Sequence, residues 1–85
     1  MEYIAVAFRS RADTLKFSEL LKANKIYNEI INTPKQAGVG CGLSVKISML
    51  QLNLVKIAIR KTHLPSFAGI FKIKMVAGKQ IVNSI

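Results

Sequence analysis

Glu2 to Phe8 (E-Y-I-A-V-A-F) is apolar on both of its alternating faces, the pattern of a central strand covered on two sides. Ser10 stands three residues before Asp13, a capping-box-like start to a helix over Arg11 to Asn24, with Phe17, Leu20 and Leu21 on one face and Leu15 on another. Ile26 to Thr33 alternates loosely as a second strand and stops at Pro34. Lys35 to Gly42 (K-Q-A-G-V-G-C-G) reads as a loop, and Leu43, Val45 and Ile47 then alternate with Ser44, Lys46 and Ser48 as a third strand. Met49 to Leu64 alternates in places like a strand. Its unbroken length without Gly or Pro, and the shared face of Leu50, Leu54, Ile57 and Ala58, predict a helix closed by Pro65. Ala68 to Val76 is a fourth strand, and Gly78 to Ile85 is a short tail that fits either a helix turn or an edge strand.

The order βαββαβ predicts an α+β fold, a ferredoxin-like two-layer sandwich with both helices on one face of a four-stranded antiparallel sheet. Residues 1–85 make one domain in this reading, since a chain of 85 residues holds one core. In that topology the link between the second and third strands lies at the end of the sheet where the first strand exits. Cys41 is thereby placed near Arg9, Ser10 and Arg11. Helices cover one sheet face only, so the apolar second face predicts a homodimer.

Charge divides the chain. All four acids (Glu2, Asp13, Glu19, Glu29) precede Ile30, and eight bases with no acid follow. A segment of that kind attracts anionic partners such as nucleic acid, acidic proteins or anionic metabolites, unless the lysines only solubilise. Ferredoxin-like sheets that bind RNA stack bases on aromatics of the first and third strands, and the third strand here offers none, so nucleic acid is not the favoured partner. No apolar run approaches a membrane span, and the start lacks the features of a secretory signal, so a cytoplasmic location is expected. The single cysteine suits a reducing compartment.

Candidate chemistry concentrates on Cys41. Glycines at 38, 40 and 42 uncover the sulfur, permit positive φ and let backbone amides face an anion. A helix start and the guanidinium groups of Arg9 and Arg11 favour a thiolate. A lone cysteine is also commonly a buried small hydrophobe, and a Gly-rich hairpin loop needs no function to exist. His63 is expected near a helix end at the surface, one cysteine and one histidine make no metal set, and G-V-G-C-G lacks the lysine of a phosphate loop. No cofactor is expected.

The run from Thr33-Pro34 through Cys41-Gly42-Leu43, with a first strand ending in Phe8 and a second ending in Pro34, resembles the small bacterial family of selenium/sulfur carrier-like proteins. The resemblance covers most of the chain. It implies that Cys41 matches the family's cysteine and carries sulfur or selenium as a persulfide or selenopersulfide between donor and acceptor proteins. A carrier or accessory protein is implied more than a turnover enzyme, with Gly40 and Gly42 shaping the loop and Arg9, Ser10 and Arg11 as its electrostatic neighbours.

Overall fold

The structure, a computed structural model, describes residues 2–38 and 41–85. Its elements follow in the order β1 (Glu2–Phe8), α1 (Arg11–Ala23), β2 (Glu29–Asn32), β3 (Leu43–Ile47), α2 (Leu52–Thr62), β4 (Phe67–Val76) and β5 (Lys79–Ser84), with 3-10 turns at Lys35–Ala37 and Met49–Gln51. The strands form one sheet in the order β2-β3-β1-β4-β5, each neighbouring pair antiparallel. The α+β class and two helices agree with the sequence. The sheet has five strands rather than four, because the tail folds back as β5. Ala77 and Gly78 both take positive φ, 50° and 76°, giving the two-residue turn that matches strand twist and pairs Val76 with Lys79.

β1 lies at the centre because it is apolar on both faces, and Ile4, Ala5, Val6, Ala7 and Phe8 are all buried. Ile4, Val6 and Phe8 meet Phe17 and Leu21 of α1, Val55 of α2, and Val45, Ile47 and Ile70 of the flanking strands. Both helices therefore pack on one sheet face. The Phe8 ring lies 5.2 Å from that of Phe17 and 5.9 Å from that of Phe67. Each such large side chain contributes roughly 1.5 to 3 kcal/mol by leaving water.

Ser10 caps α1 as expected, its Oγ accepting from the Asp13 amide at 3.2 Å. β2 starts three residues later than the sequence pattern implied, because Asn28 turns inward. Its Nδ2 donates to the carbonyls of Ser18 and Ile26 at 3.2 and 3.0 Å, and its Oδ1 accepts from the Ser18 hydroxyl, so a polar side chain is satisfied in the core. Only Ala58 of the apolar face that predicts this helix packs on the core. Val55 is the residue sealed against the core, with Leu52, Ala58 and Ile59 packed beside it, while Leu50, Leu54 and Ile57 are exposed. α2 carries two apolar stripes at helical spacing, and the sheet takes one of them.

The second sheet face is not open. Ala5, Ala7, Phe71 and Ile73 form a buried cluster joined by Tyr3, Ile31, Ala37, Ala68 and Val82. Ala37 follows the β2 edge and Val82 belongs to the β5 edge, and these two segments touch across the face. The small side chains of Ala5 and Ala7 leave room for β5 and the Lys35–Ala37 turn to approach each other across the twisted sheet. Ala5, Ala7 and Ile73 are 0% exposed within one chain, so the apolar face from which a homodimer was expected is closed by the chain itself.

Candidate functional site

Two glycines shape the described part of the Cys41 loop. Gly38 ends the Lys35–Ala37 turn in the left-handed conformation at φ 66°, and Gly42 takes φ 96° just before β3. A Cβ at Gly42 would meet nothing within 4 Å, so glycine is required there for its backbone rather than for space. Gly40, expected to shape the same loop, lies outside the described residues. Cys41 is fixed between strand ends: its amide donates to the Phe8 carbonyl at 3.1 Å, and the Gly42 carbonyl accepts from the Thr33 amide at 2.8 Å. These bonds bring residue 41 beside the exit of β1, where Arg9 and Ser10 follow.

The Cys41 thiol is free and exposed. Its Sγ lies 3.8 Å from Thr14 Oγ1 and 3.8 Å from the Leu43 carbonyl oxygen. A thiol has one proton, so it can donate to one of these at a time. Thr14 is buried in the first turn of α1, and its hydroxyl donates to the Ser10 carbonyl at 3.0 Å, leaving its lone pairs to accept from the thiol. A thiolate would instead compete with Ser10 for that hydroxyl proton. The sequence reading passed over Thr14. The only signal for it was its place one helical turn after the cap.

Ser10 does more than cap. Its amide donates to Ser66 Oγ at 3.2 Å, and Ser66 Oγ donates to Asp13 Oδ2 at 2.6 Å. The Ser66 amide reaches the same carboxylate oxygen at 3.3 Å, and the Arg9 amide donates to the Ser66 carbonyl at 2.7 Å. The Asp13 side chain thus faces Ser66 and not the Ser10 amide that a full capping box would use. The network fastens the start of α1 to the start of β4. Arg9 and Arg11 are exposed, and among the described residues no hydrogen bond or ion pair joins either side chain to Cys41.

At the opposite end of β1, Lys46 Nζ sits 4.7 Å above the Tyr3 ring and 3.9 Å from the Glu29 carboxylate. Tyr27 donates to Glu29 at 2.7 Å, a bond to a neighbouring anion that pushes its phenol pKa up. The Lys72 ammonium, 3.0 Å from Glu2, holds that carboxyl below the usual range. On this sheet face Phe71 is buried and Tyr3 lies under Lys46, so neither ring is open for stacking a base. His63 is exposed and caps α2 in the left-handed conformation. No helix among the described residues is long and apolar enough to cross a membrane.

Comparison with curated proteins and with solved structures returned no match to this chain. The sequence model of the family described as "Putative Se/S carrier protein-like" matches residues 2–71, from the first strand to within β4, with β5 beyond the matched segment. The match takes in α1, the Cys41 loop and both helix-bearing crossovers, and the chain belongs to this selenium/sulfur carrier-like family.

Proposed function

We propose that the protein carries sulfur or selenium on Cys41 as a persulfide or selenopersulfide and hands it to a partner protein. The observation that carries this reading is a free, exposed cysteine in a hydrogen-bonded loop at the start of α1, in a chain whose family is named for such carriage. In loading, the Cys41 thiolate attacks the outer sulfur of a donor persulfide. A bond from Sγ to that sulfur forms as the donor's S–S bond breaks, and the donor leaves as a thiolate. The transferred atom keeps its oxidation state, so the step uses no external oxidant or reductant. Delivery is the same exchange with roles reversed: an acceptor thiolate attacks the outer atom and Cys41 leaves as thiolate. Selenium follows the same course as the outer atom of a selenopersulfide.

The loop suits a carried atom. Gly42 adds no side chain beside the sulfur, and Ser10 sets the first turn of α1 on which Thr14 stands. The described polar contacts of Sγ are a hydroxyl and a carbonyl, neither of which ionises near neutral pH, and sulfur exchange between thiolates asks for no general acid or base beside them. The test is intact mass under non-reducing conditions after exposure of the folded protein to glutathione persulfide. The wild type gains the mass of one sulfur atom and Cys41→Ser gains none. Because the chain has one cysteine, the site of an adduct is unambiguous. An unmodified wild type whose thiol is nonetheless alkylated in the folded state would overturn the reading.

A further inference from the structure

The exposed apolar stripe of α2 borders a cleft of about 360 Å³ whose walls include Leu20 of α1, its C-terminal cap Asn24, and Leu54, Ile57 and Lys61 of α2. A second cleft of about 170 Å³ shares Leu20 and Thr62 with it and adds Lys16 and Leu64. Together they form one groove between the helices. Asn24 and Leu54 lie toward one end and Lys16 and Leu64 toward the other, so α1 and α2 run antiparallel along it. Leu54 is 53% exposed and Ile57 46%, an apolar wall left in water. The charged residues on its rim are Lys16 and Lys61, and none of the described lining residues is acidic.

We propose that this groove docks a short amphipathic helix of a partner protein, with an apolar stripe for the floor and carboxylates for the lysine rim. The span from Lys16 to Asn24, at 1.5 Å per residue, is about 12 Å, room for roughly two turns of a partner helix. Leucines at i, i+4 and i+7 would lie on Leu20, Leu54 and Ile57, and flanking Glu residues would meet Lys16 and Lys61. A second copy of this chain is disfavoured as occupant. A two-fold interface through the groove would bring the lysine rims of two copies onto one patch, with no acid among the described lining residues to offset them. The proposal goes beyond the Cys41 chemistry and stands without it, and the groove reaches Lys16, two residues past the Thr14 that touches the sulfur.

The test is an NMR titration of the full ¹⁵N-labelled chain with a stapled helical peptide of about three turns carrying that leucine pattern and flanking glutamates, and with the same peptide in which lysines replace the glutamates. The proposal expects shifts confined to the amides around Leu20, Leu54, Ile57 and Lys61. It also expects the acidic peptide to bind about tenfold tighter than the basic one at low salt, and the preference to reverse in a Lys16→Glu, Lys61→Glu variant, both positions being exposed. Equal affinity for the two peptides, shifts on another surface, or no binding would overturn it. Groove shifts produced by concentrating the protein alone would assign the groove to a second copy and overturn it equally.

Discussion

Replacing Asp13 with alanine removes the acceptor that joins the start of α1 to the start of β4. The carboxylate takes the Ser66 hydroxyl at 2.6 Å and the Ser66 amide at 3.3 Å, two bonds to a charged group. Hydrogen bonds to a charged group contribute about 1.5 to 3 kcal/mol, and an anion in the first turn of a helix adds about 0.3 to 1 kcal/mol. Ser66 is half-buried, so water recovers part of the loss, and the expected net destabilisation is about 2 kcal/mol. For a chain of this size each kcal/mol moves Tm by about 4 to 8 °C, so Tm should fall by roughly 8 to 16 °C. Urea unfolding followed by circular dichroism should show a lower midpoint with the slope unchanged. Asp13→Asn keeps one acceptor and should lose about half as much. In a double-mutant cycle with Ser66→Ala the two losses should overlap by about 1 kcal/mol. An Asp13→Ala protein within about 0.5 kcal/mol of wild type, or strictly additive losses, would mean that packing alone orients α1 and that the tie contributes nothing.

Three further perturbations test other parts of the account. Ile73→Ala should cost about 2 to 4 kcal/mol in urea unfolding, because Ile73 is wholly enclosed on the second sheet face, whereas a loss under about 1 kcal/mol would mean that face is open to water. Gly42→Ala should cost about 1 to 2 kcal/mol through its φ of 96° although its Cβ has free space, and a neutral substitution would refute the strained backbone. Lys72 holds the folded pKa of Glu2 below its unfolded value, so the stabilisation from this pair is present above the unfolded pKa and disappears as pH falls through the folded one. The ¹³C titration of the Glu2 carboxyl should therefore have its midpoint below that of a free glutamate. Lys72→Met should move that midpoint upward, and no movement would rule out the pairing as its cause.

The central elements were legible because their patterns were strong. The doubly apolar run of β1, the Ser10 cap, the stop at Pro34 and the alternation of Leu43, Val45 and Ile47 each tie a residue type to one backbone role. β5 was ambiguous because K-Q-I-V-N-S is a short, mostly exposed edge strand, and its turn uses Ala77 where Asn or Asp would have announced a hairpin. The buried face of α2 was not legible because both of its stripes are apolar at helical spacing, and only the position of the sheet decides between them. The closure of the second sheet face depends on two segments far apart in sequence meeting over a pair of alanines. The topology placed residue 41 correctly beside the exit of β1. The contacts around it, Thr14 at the sulfur and Ser66 on Asp13, span long stretches of chain with no sequence signature.

The central claim is that Cys41 both accepts and releases a sulfur or selenium atom, and delivery is its most direct measure. Protein loaded from glutathione persulfide and freed of the donor should, on mixing with a thiol acceptor, lose the mass of one sulfur atom while the acceptor gains it, with Cys41→Ser inactive in both steps. Failure to load, or a loaded atom that stays on Cys41 in the presence of acceptor, would contradict the carrier account.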